Sequence, residues 1–407
     1  MLTMSMPRRP KSPSAFAACF VAVALLVAGC GGDEGGDGTA GGAGSGGEPT
    51  VRLGSVFSVS GAGVAFGPQQ LRGARLAAER INRDGGIDGA RLQIVQRDDG
   101  SDPERTPEAM RELIEEERVL AVLGPTFSNA AATADPLADE LGVPILAVSN
   151  TGPGIVGECP YPCRLVFRDS LGEATAIPAN VRSLIGGGAQ VAGAIVAYPE
   201  DDPFAKSSAA IAVDAFVAND ATTAEIEFDD PARLEELPGL PEAVMIVASS
   251  GEVAAEAIRA ARDGGYEGPI LGGNAFNSRL AAERAGAAGE GARSAAAWYE
   301  GNPSAVNEEF VAAYRDAHGE APDQFAAQAY TGVLLLAEAA AAADLSLDDL
   351  DADRAALARA LARVRIETPL GPFRFTADHD VSQPIWIVAM DGEGGYDLVE
   401  RIEPGGR

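Results

Sequence analysis

Between Val119 and Gly154 apolar and polar residues come in blocks. The apolar run Val119 to Leu123 gives way to a polar turn, Gly124 to Asn129, and then to a stretch with helical spacing that reaches Leu141. A second apolar run, Val143 to Val148, ends in the polar turn Ser149 to Gly154. Short apolar runs bounded by turn formers predict buried strands, so the segment reads as strand, helix, strand. Parallel strands joined by a helix put both following turns on the carboxyl edge of one sheet, where open α/β folds hold ligands. The hydroxyls of Ser128, Ser149 and Thr151 are therefore expected to converge, with Asn129 and Asn150 in the same turns. Ser128 or Asn129 is also expected to cap the helix, whose start favours an anionic group. The competing reading is that these residues only cap and turn.

The same alternation extends along the chain. Strands are predicted at 50–58 and 92–97, with a helix at 69–82 between them that buries Leu71, Ala74, Ala78 and Ile81. A helix ending near Glu117 turns Met110, Leu113 and Ile114 inward. After a short strand at 164–168 and a helix at 174–185 the pattern restarts. Strands at 191–197, 224–228, 243–248, 269–271 and 295–299 are interleaved with helices at 204–217 and 253–262. Helices at 305–317, 325–343 and 354–364 follow, then strands at 373–375, 385–389 and 396–399. Two successive doubly wound α/β domains are expected.

Length agrees, since 407 residues suffice for two domains of ordinary size. Charge removes one class of function: 31 basic against 60 acidic residues leave no basic patch for nucleic acid. The amino terminus adds a location. Arg8, Arg9 and Lys11 precede an apolar run from Ala15 to Ala28 and the sequence Leu26-Val27-Ala28-Gly29-Cys30, an export signal. Small residues before a cysteine resemble the lipobox of bacterial lipoproteins, which implies cleavage after residue 29 and acylation of Cys30. Without residues 1–29 the chain keeps 28 basic against 60 acidic residues, a formal charge of −32, and should be soluble. Residues 31–48, nearly all small or acidic, make a flexible tether. Of the remaining cysteines, Cys159 and Cys163 are expected to close a small disulfide loop; their spacing is not that of a redox or metal site.

Four blocks in order carry a family resemblance: SGAGVAFGPQQLRGARLAAERINRDGGIDG, LQIVQRDDGSDP, VLAVLGPTFSNAAATADPLADELGVPIL and QAYTGVLLLAEA. Over about residues 50 to 400 the chain resembles the type I periplasmic binding proteins of the branched-chain amino-acid and amide-binding family, the receptors of ABC importers. The resemblance implies two doubly wound, Rossmann-like α/β lobes joined by a three-crossing hinge. Lobe 1 is expected to take 50–169 plus 298–381, and lobe 2 to take 170–297 plus 382–407, after a signal peptide (1–29) and an anchored linker (30–49). The crossings are expected near Phe167 to Leu171, Ala297 to Tyr299 and Asp380 to Pro384. Family ligand contacts fall on Phe66, Ser128, Ser149 and Thr151 in the first lobe. In the second they fall on Phe204, an aromatic lid that is usually tyrosine, on Ser249 or Ser250, and on Asn274.

The resemblance implies a monomer without cofactor, working with ABC permease subunits at the outer face of the cell membrane. An enzyme is disfavoured, because no Gly-x-Gly-x-x-Gly after a strand, phosphate loop, nucleophile elbow or His-Glu-x-x-His is present, and His318 and His379 sit in unrelated contexts. A sensor domain fused to a membrane segment is the other alternative. Relatives that bind amino acids commonly place an acid where this chain has Asn274. Asparagine cannot neutralise an ammonium group. The expected ligand is therefore an amide, urea-like compound or carboxylate, with leucine, isoleucine and valine as the runner-up.

Overall fold

The computed structural model describes residues 49–239 and 241–405; Cys30, the export signal and the tether lie outside them. The order of elements alternates as the apolar blocks predict. Strands β1 (Thr50–Val56), β2 (Arg91–Arg97), β3 (Ala121–Leu123), β4 (Ile145–Ala147) and β5 (Val166–Arg168) form one sheet in the order β2-β1-β3-β4-β5. Every pairing in it is parallel. The second sheet runs β15-β14-β10-β9-β8-β6-β7. It comprises β6 (Gly193–Pro199), β7 (Thr222–Phe228), β8 (Ala243–Ile246), β9 (Ile270–Gly272), β10 (Arg293–Ala296), β14 (Ile385–Met390) and β15 (Tyr396–Ile402), the last two antiparallel.

Helices cover both faces of each sheet, so its central strands, such as β3, β4, β8 and β9, are buried along their whole length. One face of the first sheet packs against α1 (Gly67–Arg83), α9 (Ala305–His318), α10 (Gln324–Ala343) and α11 (Leu350–Leu361). The other meets α2 (Thr106–Arg111), α3 (Ser128–Ala134) and α4 (Pro136–Leu141). The second sheet carries α5 (Glu173–Gly186) and α6 (Pro203–Val217) on one face, and α7 (Gly251–Asp263) and α8 (Arg279–Ala285) on the other.

Several local readings are corrected. The helix expected to run unbroken to Leu141 is divided between α3 and α4 at Asp135, because Pro136 has no N–H to continue the ladder. The helix expected to end near Glu117 does end there, with Met110, Leu113 and Ile114 buried as expected, but its last turn, Glu112–Glu116, is π-helical. In α1 the inward stripe runs through Ala74, Ala77 and Ala78 with Leu76, while Leu71 and Ile81 are only half-buried. Helix α11 starts earlier than expected because the Asp349 carboxylate accepts the Ala352 N–H. Helix α8 and a three-stranded antiparallel sheet of β11 (Arg365–Thr368), β12 (Gly371–Phe375) and β13 (Val381–Ser382) were not all expected.

The chain passes between the two sheets three times, and hydrogen bonds tie the passages together. Arg168, at the end of β5, donates through Nε and Nη2 to both Asp380 carboxylate oxygens, at 2.8 and 2.6 Å. Its backbone N–H donates to His379 O at 3.0 Å. Gln383 Nε2 donates to Ala297 O at 3.1 Å, and the Ala297 N–H donates to Gln324 Oε1 at 2.6 Å.

Cys159 and Cys163 are disulfide-bonded, with Cα atoms 6.3 Å apart. The loop is short, so reducing the bond should cost at most about 2 kcal/mol. Thiol titration of unfolded, unreduced protein carrying Cys30→Ser and Cys19→Ser should find no free thiol. Two would contradict the pairing.

Candidate functional site

The carboxyl ends of the two sheets face a common cleft. In the first sheet the order reverses between β1 and β3, and in the second between β6 and β8, which opens a crevice at each switch point. The turns after β1, β3 and β4 supply Phe66, Thr126, Phe127, Ser128, Asn129, Ser149 and Thr151 to the lining. From the other side come Phe204 after β6, Ala248 and Ser249 after β8, and Asn274 and Ala275 after β9. Phe325, from the first turn of α10, completes it. The cleft is closed down to about 30 Å³, close to the room one water needs, so a ligand must enter with the walls further apart.

The expected convergence of hydroxyls is present, but the three do different work. Ser149 Oγ donates to Thr126 O at 2.7 Å and accepts from Gln70 Nε2 at 2.8 Å. The chain of bonds continues from Thr126 Oγ1 to Gln70 Oε1 at 2.7 Å and from the Ser58 N–H to Thr126 Oγ1 at 3.0 Å. Ser149 is thus held by a buried network that fixes the turns against one another. Ser128 does not cap α3. Phe127 occupies the cap position without a side-chain bond, and Ser128 Oγ instead accepts the Gly152 N–H at 3.1 Å, joining the turns after β3 and β4. Asn129 Oδ1 accepts the adjacent Ala130 N–H at 2.9 Å. The Thr151 hydroxyl is buried and has no partner among the described residues, a donor that desolvation leaves costly unless something accepts from it.

Two sequence candidates stand outside the lining. Asn150 is fully buried, with both amide atoms unpartnered among the described residues. Ser250 caps α7 by accepting the Val253 N–H at 3.5 Å. Phe66 both lines the cleft and packs, its ring centroid 4.4 Å from Phe325 and 5.9 Å from Phe127. Phe204 reaches across from the second sheet: a Cβ added at Gly152 would lie 3.1 Å from Ser128 Cβ and 3.5 Å from Phe204 Cδ2. A glycine at 152 therefore permits the close approach.

Gln70, Thr126, Phe127 and Phe325 were missed. Gln70 was legible in principle, since it lies on the α1 stripe one turn before Ala74 and a buried glutamine there needs partners.

Among the described residues no carboxylate lines the cleft. Asp202 is committed, Oδ1 accepting the Ala205 N–H at 3.0 Å and Oδ2 the Ser249 N–H at 2.9 Å, and Asp201 is exposed. Glu173, the first residue of α5, lies behind the lining. Its Oε1 accepts the Asn274 N–H at 2.9 Å while Oε2 has no partner among the described residues. Burial pushes this carboxyl up to about 7. Burial likewise holds the Asp169 carboxyl well above the usual carboxylate range. Asn274, in the lining, accepts through Oδ1 from Gln324 Nε2 at 2.7 Å, which leaves its amide N–H groups available as donors.

Two lobes of this construction, with a site between their switch points, define a solute-binding protein. The chain belongs to the periplasmic binding protein family, whose model matches residues 50–395, and membership implies an extracytoplasmic location. Among curated relatives it is 33% identical over 105 residues to an amino acid binding protein of Pseudomonas aeruginosa. It is 29% identical over 119 residues to that organism's leucine-, isoleucine-, valine-, threonine- and alanine-binding protein. These matches span 26% and 29% of this chain and only 28% and 31% of the relatives' own length. Among solved structures the fold is similar to the branched-chain amino-acid transporter substrate-binding protein LivJ of Streptococcus pneumoniae, in complex with isoleucine. The TM-score is 0.76, with 24% identity, covering 87% of this chain and all of that one. A solute-binding protein of an ABC transporter from R. palustris, in complex with benzoate, matches with a TM-score of 0.76 and 23% identity, covering 87% of this chain and 97% of that one. By their names the two curated relatives are amino-acid-binding proteins and the two structures are substrate-binding proteins of transporters.

Proposed function

We propose that the protein is the substrate-binding lipoprotein of an ABC importer, and that it captures a small carboxylate or amide with an apolar, preferably aromatic, body. The observation that carries this reading is the chemistry of the lining: the Ser128 and Thr151 hydroxyls and the Asn274 amide stand among four phenylalanines, with no acid among the described lining residues. Hydroxyl and amide donors suit an acceptor-rich group, and the Phe66, Phe127, Phe204 and Phe325 rings suit an apolar one. The expected lobes, 50–169 plus 298–381 and 170–297 plus 382–407, would open about the Arg168, Ala297 and Gln383 passages and close on the ligand. The protein would act as a monomer that delivers to permease subunits, without a cofactor.

Glu173 supports a second reading, a branched-chain amino acid. A small shift of Asn274 would let its unpartnered oxygen face an ammonium group. A thermal-shift screen separates the two, because a ligand at a hundred times its Kd stabilises by about 2.7 kcal/mol. Benzoate-like acids and small amides should raise the Tm of the purified protein by several degrees and leucine and valine by little. The reverse order would favour the second reading, and no shift from either group would count against both.

The anchor is a separate proposal. Cys30 would carry lipid, motivated by Val27-Ala28-Gly29-Cys30. Cys30→Ala should free the protein from membranes or leave its precursor uncut. Normal processing with membrane retention would refute it.

A further inference from the structure

A larger cavity lies on the far side of the Asn274–Gln324 hydrogen bond. Its volume is about 240 Å³, enough for a single-ring molecule. Gln324 lines this cavity, and its partner Asn274 lines the cleft, so one hydrogen-bonded pair stands between the two. The walls come from both sides of the hinge. Ala296, Val388 and Tyr396 belong to the second sheet, Ala321 and Asp323 lead into α10 on the first, and Trp298 and Tyr299 lie on the passage between them.

The chemistry of the walls selects an occupant. Trp298, Tyr299 and Tyr396 supply aromatic surface, and three acids, Glu300, Asp323 and Glu393, stand against a single cation, Arg279. That cation is already engaged: Nε pairs with Glu283 at 2.6 Å and Nη1 donates to Ala321 O at 3.0 Å. Glu300 is paired with Arg315. Glu393, exposed at the mouth, forms no ion pair among the described residues. Asp323 is buried and caps α10, accepting the backbone N–H of Ala326 at 3.0 Å and that of Arg279 at 3.5 Å. Burial pushes its carboxyl up to about 7, so a nearby positive charge would stabilise its ionised form. Aromatic faces attract cations and repel anions.

We propose that this hinge cavity is a second binding site, distinct from the cleft, for a small aromatic ammonium ion. The ring packs among Trp298, Tyr299 and Tyr396, and the ammonium group faces Asp323 and Glu393. Because the walls belong to both sides of the hinge, the occupant binds one degree of opening better than another and thereby biases the cleft.

The two tryptophans of the chain report on it: Trp298 lines the cavity, and the Trp386 ring lies 5.8 Å from that of Tyr299. Titrating the purified full-length protein with benzylammonium chloride should change tryptophan fluorescence saturably, and benzyl alcohol should bind at least tenfold more weakly. Ala321→Phe, which fills the cavity from a half-buried loop position, and Tyr299→Ala should each weaken the titration at least tenfold. Glu393→Gln, at the exposed mouth, should weaken it about threefold. Thr151→Val, in the cleft, should leave it unchanged. The proposal is overturned by no saturable change in the wild type, by benzyl alcohol binding as tightly as benzylammonium, or by an unaltered titration in folded Ala321→Phe and Glu393→Gln proteins. Loss of the signal in Thr151→Val would also overturn it, by placing the amine in the cleft.

Discussion

Arg168→Met is expected to destabilise the protein by about 3 kcal/mol, the typical cost of removing one partner from a buried ion pair. The Arg168 side chain is 9% exposed and its partner Asp380 32%, so the pair is only partly screened. The guanidinium has further obligations, since Nη1 donates to Gly152 O at 3.1 Å and lies 3.5 Å from Asn150 O. One side chain therefore holds the turn after β4 and the third passage of the hinge. Arg168→Lys should recover little, because an ammonium cannot reproduce the two-pronged contact with Asp380 while reaching the turn carbonyls. Urea unfolding measures the loss. A change below 1 kcal/mol for Arg168→Met would show that the pair is dispensable.

The second large effect is one of pH. The Glu173 carboxyl titrates near 7 in the folded protein because it is buried, against an ordinary value of 4.5. Between those values the folded state keeps a proton that the unfolded state has lost. Stability from this group is therefore full below about pH 4.5 and falls as pH rises towards 7. Asp323, raised to about 7 for the same reason, acts in the same sense. Glu173→Gln can still accept the Asn274 N–H and removes the titration. It should be more stable than wild type at pH 8, by up to about 3 kcal/mol, and nearly equal to it at pH 4.5. Unfolding curves at the two pH values give the difference. An equal difference at both would mean that Glu173 does not titrate in this window.

What could be read from the sequence was set by local chemistry. The apolar runs around Leu123 and Leu146 are buried on both faces and announce themselves as strands, and the turns after them must then share a sheet edge. The positions of Ser128, Ser149 and Thr151 followed from that geometry. The roles of these hydroxyls did not, because they depend on groups distant in sequence. Ser149 is occupied by Gln70, 79 residues away, and Ser128 by the Gly152 N–H. Glu173 was invisible for the same reason: a glutamate opening a helix is ordinary on a surface, and only the tertiary packing around Asn274 and Gly273 buries it. Helix α8 was missed because its seven residues, Arg279–Ala285, are too few to show periodicity; Ser278 marks its start by accepting the Ala281 N–H.

The central claim is that a small acceptor-rich solute is held between the turns of the two lobes by Ser128 and Thr151. Titration calorimetry of the strongest ligand from the thermal-shift screen tests it most directly, on wild type, Ser128→Ala and Thr151→Val. Loss of a hydrogen bond to a charged group costs about 1.5 to 3 kcal/mol, so each variant should bind at least about tenfold more weakly while unfolding normally. Wild-type affinity in both variants would contradict the assignment of the site.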